Sequence, residues 1–134
     1  MSYEMLILAI TTLLFMFSWV PASVAKYHVY GLRWLASNRS TEGLPPMPEW
    51  AQRAIRAQDN LKENYPGFAV AVLLLAFTGG FTRGTAAAAA IFLAARLVHL
   101  PAYIAGAPGL RIFSWAVGFV AMVYLLIMAL AALV

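Results

Sequence analysis

Arg53, Arg56, Asn60 and Glu63 fall at offsets 0, 3, 7 and 10 in the segment Arg53–Pro66, R-A-I-R-A-Q-D-N-L-K-E-N-Y-P, the only charge-dense stretch of the chain. On a helix this spacing puts guanidinium, carboxamide and carboxylate groups along one face. Arg96, His99 and Tyr103, at offsets 0, 3 and 7, share a face in the same way. Arg111 and Ser114 follow within a few residues, and Arg33 precedes both sets. Guanidinium groups grip carboxylates through paired hydrogen bonds, so an excess of arginine over acid points to an anionic, carboxylate-bearing ligand. The competing reading is a purely structural network, with Glu63 paired to an arginine of a neighbouring helix and His99 to Tyr103. An unpaired charge inside a membrane costs about 2.5–3.5 kcal/mol, so Arg96 and Glu63 must be paired, hydrated or placed to hold a ligand.

The elements that carry these residues are membrane helices. The 134-residue chain is 63% hydrophobic and only 10% charged, against about 25% in an average soluble domain, which excludes a solvated monomeric globule. Uncharged windows run Met5–Ala25, Asn64–Thr82 and Ile112–Val134, each near the roughly 20 residues a helix needs to cross a hydrocarbon core. A fourth span needs Gly84–Ala95 to continue through Arg96 and His99 to about Ala105. Continuous Leu, Ala, Ile and Met runs without alternation argue against spanning strands. The expected fold class is all-α: residues 1–134 form a single four-helix transmembrane domain, an up-down-up-down bundle.

Met1–Glu4 has no basic region ahead of the first apolar run, so that run reads as a span and not as a cleavable signal. With no cysteine, any sulfur chemistry must use a thiol supplied by a ligand. His28 and His99 lie on different helices without metal-ligand spacing, so no metal site is expected. The net charge of +4 sits at membrane edges and does not imply nucleic acid. A small transporter would need an ionisable residue central in a span, whereas the charges here cluster toward one membrane face.

Lys26, Arg33, Arg39, Arg53, Arg56 and Lys62 flank the loop between the first two spans, and Arg96 and Arg111 border the loop between the last two. The opposite side has only Arg83. The positive-inside bias therefore places both of these loops in the cytoplasm and the termini on the other side. Asn38–Pro48 reads as a proline-interrupted turn, after which a helix opens near Glu49 and runs to Gly79–Gly80. At about 31 residues, or roughly 46 Å, that helix must project from the membrane, and the polar stripe lies in the projecting half. Pro108-Gly109 marks the turn before the last span, and Ala86–Ala90 reads as a seam of close helix packing. Trp19, Tyr27, Tyr30, Trp34, Trp50, Tyr65 and Trp115 fall mostly near membrane boundaries, as anchors do. Alternating helix direction then brings Arg33, the stripe from Arg53 to Glu63, the set from Arg96 to Tyr103, and Arg111 with Ser114 to one level.

The run R-A-x-R-A-x-x-N-x-x-E-N-x-P-x-F, seen as Arg53, Ala54, Arg56, Ala57, Asn60, Glu63, Asn64, Pro66 and Phe68, resembles the signature of the MAPEG superfamily, membrane-associated proteins in eicosanoid and glutathione metabolism. R-L-V-H-L-P-A-Y, Arg96 to Tyr103, is similar to the family's third-helix motif, and Arg111 stands where members keep a functional arginine. The resemblance covers nearly the whole chain. It implies a bacterial-type member in an inner membrane, a homotrimer with glutathione as co-substrate between subunits, and a lipophilic small-molecule substrate entering from membrane lipid. Carried over, Arg111 stabilises the glutathione thiolate with help from Ser114. The stripes Arg53, Arg56, Asn60, Glu63 and Arg96, His99, Tyr103 cradle the peptide, Glu63 taking its amino group, and Arg33 reaches in from the first span. Two departures stand out: Asp59 occupies a position where several glutathione-using members have arginine, and Ser114 lies three residues after Arg111 instead of next to it. The activity implied is a glutathione-dependent transferase or peroxidase acting on a lipophilic electrophile or lipid hydroperoxide. The alternative is a noncatalytic lipid-binding or scaffold protein of the same fold.

Overall fold

Ser18 and Pro21 interrupt the first apolar run. Pro21 has no amide to offer the carbonyl one turn back, and the Ser18 hydroxyl donates to the Phe15 carbonyl at 2.7 Å. The result, in a computed structural model that describes residues 2–134, is a jointed arm made of α1 (Tyr3–Phe17) and α2 (Trp19–Leu35). Three more helices follow: α3 (Glu49–Thr78), α4 (Arg83–Ala105) and α5 (Pro108–Ala132). No strand occurs among the described residues. Counting the arm once gives four rods linked by short turns and one longer loop, the all-α bundle expected of an integral membrane protein.

Three rods, Tyr3–Leu35, Arg83–Ala105 and Pro108–Ala132, are long and apolar enough to cross a bilayer. The rod α3 falls short of that measure for a local reason. Its apolar part begins only after Asn64, and Gly79, in the left-handed region at φ 69°, ends the helix before the Gly80–Thr82 part of the uncharged window. At 30 residues α3 is nevertheless roughly 45 Å long, more than the roughly 30 Å thickness of a hydrocarbon core. Pro66 inside it leaves the Lys62 carbonyl without a helical partner.

The far-side turn is fixed by chemistry at the start of α4. Thr82 accepts from the Thr85 amide at 3.1 Å while the Thr85 hydroxyl accepts from the Thr82 amide at 2.7 Å, a reciprocal cap. Glu4 of α1, buried to 3% exposure, accepts a 2.7 Å hydrogen bond from the same Thr85 hydroxyl. At the other end Gly106, at φ 76°, closes α4 in the left-handed region. The helix α5 then begins at Pro108, four residues before the apolar window read from the sequence, because a proline in the first turn forfeits no hydrogen bond.

Between these ends lies one apolar core. Phe68 of α3 and Phe92 of α4, both fully buried, stack with centroids 4.1 Å apart and planes within 4°. Leu75, Val72 and Leu125 pack around them, and Ala88 and Ala89 of the alanine run are buried beside the stack. Small side chains there let α4 approach its neighbours closely, and its most extensive contacts are with α5.

Candidate functional site

One turn above the aromatic stack, α4 turns a guanidinium into the bundle. Arg96 is 1% exposed, and its carbon Cζ lies 5.1 Å from the centroid of the Phe92 ring. Its Nη1 donates to Oδ1 of Asn60 on α3 at 3.0 Å, and the Asn64 amide donates to the Asn60 backbone carbonyl at 2.8 Å. The guanidinium nitrogens Nε and Nη2 are buried without a partner among the described residues. Charged donors left unpaired away from water are costly, so such atoms mark a place where something else completes the structure.

His99, one turn further along α4 and 3% exposed, meets α5 through its ring. Nδ1 lies 3.0 Å from the Arg111 carbonyl. A carbonyl only accepts, so Nδ1 carries the proton in that contact and Nε2, buried and unpartnered, is left as an acceptor when the ring is neutral. The Ser114 hydroxyl stands 3.4 Å from Nδ1 and donates to the Leu110 carbonyl at 2.8 Å. Tyr103 sets its ring edgewise to His99, centroids 5.6 Å apart, and Arg111 places its guanidinium 4.9 Å from the Tyr103 centroid.

Beside these groups is an open-sided cavity of about 230 Å³ bounded by Asn60, His99, Tyr103, Arg111, Ile112 and Trp115. Asn60, Arg111, Trp115 and Tyr103 bring donor-bearing side chains to a wall that is otherwise mostly apolar. A wall of that kind favours an anion or a ligand rich in carbonyl and carboxylate oxygens. Ile112 and Trp115 are not among the site residues expected from the sequence. Trp115 was legible in principle, since it stands one turn after Arg111 on the same face, but it read as a boundary anchor; Ile112 carries no signal of its own.

The remaining expected site residues stand elsewhere on this chain. Arg53 directs Nε to the Ile104 carbonyl at 3.0 Å and pairs with Glu49 at 3.4 Å, so it closes the C-terminal end of α4 and does not line the cavity. Arg56 and Glu63 are exposed. Along a helix advancing about 100° per residue they lie roughly 60–80° round from Arg53, toward the outer surface. Asp59 is also exposed and pairs with Lys62 at 3.1 Å, away from the cavity. Arg33 is exposed in the last turn of α2, just past Gly31, whose φ 80° and ψ 171° break the helix. The structure thus gathers Asn60, Arg96, His99, Tyr103, Arg111 and Ser114, and leaves Arg33, Arg53, Arg56 and Glu63 outside the cavity of the single chain.

A second, larger cavity of about 580 Å³ opens on another flank of α4 and α5, lined by Gly84, Ala87, Ile91, Phe113, Val120 and Tyr124 among others. Its walls are almost wholly apolar, so it offers room for hydrocarbon and no constellation for catalysis.

No curated protein and no solved structure gives a match to the chain. The model of the MAPEG family matches residues 4–131, which includes the polar segment of α3, the Arg96–Tyr103 set and Arg111 together with the four rods that carry them. The chain therefore belongs to the MAPEG family, the membrane-associated proteins of eicosanoid and glutathione metabolism.

Proposed function

We propose that the protein is a glutathione-dependent membrane transferase or peroxidase that acts on a lipophilic electrophile or lipid hydroperoxide. The observation that carries this reading is the cavity that brings Arg111, held over Tyr103 and tied through its carbonyl to His99, together with Asn60. Glutathione is an acidic peptide with a thiol, and the chain itself has no cysteine. A thiol of pKa near 8.5 is mostly protonated at neutral pH, and an adjacent guanidinium stabilises the thiolate that attacks. Arg111 supplies that charge. Asn60, Tyr103 and His99 orient the peptide, and Ser114 supports the first turn of α5.

Arg56, Glu63 and Arg33 enter this reading through a homotrimer. They are exposed on a single chain, and a neighbouring subunit packed along that surface completes the cradle with Glu63 on the peptide's amino group. The cavity lies near the end of the bundle that carries most of the lysine and arginine, and in this reading that end is cytoplasmic, with the termini opposite. Lipid delivers the second substrate.

A noncatalytic lipid-binding protein is the second reading, favoured by the apolar groove of about 580 Å³ on α4 and α5. Titration of the detergent-solubilised protein with glutathione separates the two. Ultraviolet absorbance of the thiolate is expected for the wild type and not for Arg111→Ala, which still binds the peptide. Absence of both binding and thiolate from the wild type, with lipid retained on purification, supports the second reading and ends the first.

A further inference from the structure

Arg96 has donors only, so the Asn60 atom it meets at 3.0 Å is the carboxamide oxygen. The Asn64 amide approaches that same oxygen at 3.5 Å. With its oxygen engaged on this side, the Asn60 carboxamide has its NH2 group left over, without a partner among the described residues, at a wall of the 230 Å³ cavity. A carboxamide is nearly symmetric in shape, and only its neighbours decide which end faces a ligand. Arg96 is the neighbour that decides.

The seat of Arg96 is close-fitting. Gly118 of α5 stands against it, and a Cβ at that position would lie 2.7 Å from Nη2 and 3.1 Å from Nε. No carboxylate among the described residues reaches the group. Glu4 is bonded at the opposite end of the bundle, Glu49 and Asp59 pair with Arg53 and Lys62, and Glu42 and Glu63 are exposed. A charge kept in so apolar a place without a counter-ion has a use beyond holding the fold together.

We propose that Arg96 is a positioning residue: seated against Gly118, it fixes the Asn60 carboxamide with its NH2 group toward the cavity, so that this wall selects a ligand presenting a carboxylate or carbonyl oxygen there. The identity of the ligand as glutathione rests on the function proposed above; the orientation of Asn60 does not. Arg96 itself does not line the cavity. It therefore governs affinity and leaves the reacting sulfur to Arg111.

Calorimetric titration of the full-length detergent-solubilised protein with glutathione tests the idea. Arg96→Met and Asn60→Ala are each expected to bind about tenfold more weakly, and the double variant no more weakly than either, as for two residues that act as one unit. The loss appears chiefly as a higher KM, as expected for weaker binding of the peptide. Arg96→Lys, which can still donate to the oxygen, restores most of the affinity. Gly118→Ala keeps the charge but crowds its seat, and reproduces the loss even if Arg96→Met does not fold. The readout that needs no ligand is the side-chain NH2 resonance of Asn60 in protein labelled with ¹⁵N-asparagine, expected to shift and broaden in Arg96→Met and Gly118→Ala while Asn38 is unmoved. Additive losses in the double variant, or an unchanged Asn60 resonance in these variants, overturn the proposal. If the wild type fails to bind glutathione, the proposed function falls, and the Asn60 resonance still decides this one.

Discussion

The two ends of the bundle each bury a charged residue, and they treat it in opposite ways. At the far side Glu4 is met by the Thr85 hydroxyl, which is itself held in the reciprocal cap of α4, at the positive end of that helix. That network is closed. On the other side Arg96 is more deeply buried, yet two of its three nitrogens and the neighbouring His99 Nε2 have no partner among the described residues. That network is open. A closed polar network fixes how helices pack, whereas an open one leaves hydrogen-bonding capacity for a molecule that is not part of the chain. The aromatic stack of Phe68 and Phe92 separates the two.

By this division, variants at the closed end and in the stack change stability and spare binding, and variants at the open end do the reverse. The largest stability effect is expected for Phe68→Ala, about 3–5 kcal/mol by analogy with other buried aromatic truncations, read as a lower thermal unfolding midpoint in detergent. A loss well under about 1 kcal/mol sinks the picture of the stack as the plug between the two ends. Next comes Arg111→Ala, expected to lower turnover by about a hundredfold through loss of thiolate stabilisation, with unfolding little changed. A matching collapse in stability shifts Arg111 to the structural side of the comparison.

Glu4→Gln tests the closed end. Its expected cost is about 1–3 kcal/mol in unfolding, from loss of a charge-assisted hydrogen bond, with glutathione affinity unaltered. The contrast with Arg96→Met sharpens the comparison: removal of an uncompensated buried charge is expected to leave the unfolding midpoint unchanged or higher. The smallest effect belongs to Ser114→Ala, under about 1 kcal/mol and less than about tenfold in turnover, since the hydroxyl mainly serves backbone carbonyls of its own helix. A larger loss in turnover gives Ser114 a direct part in the chemistry.

Helix identity was legible because apolar run length measures a membrane crossing, and α4 lies where the Gly84–Ala105 reading put it, within a residue. The break at Ser18 was not drawn from the sequence, since Pro21 within a span is compatible with either a continuous or a jointed rod. At the site, Arg96, His99 and Tyr103 share a face as their spacing requires. The α3 set behaves differently. Offsets 0, 3, 7 and 10 spread over about 80° of a straight helix, and of these residues Asn60 lines the cavity while Arg56 and Glu63 are exposed. The link from His99 to Arg111 was illegible for another reason: its acceptor is a backbone carbonyl, and no residue type announces one.

Pro66 gives α3 a joint. The helix above it carries Asn60 at the cavity, the helix below carries Phe68 in the plug, and the unmatched Lys62 carbonyl is where the rod bends most easily. The half of the rod that bears Asn60 can then shift against the half that bears Phe68, so a guest gripped at one end need not loosen the trunk of the molecule.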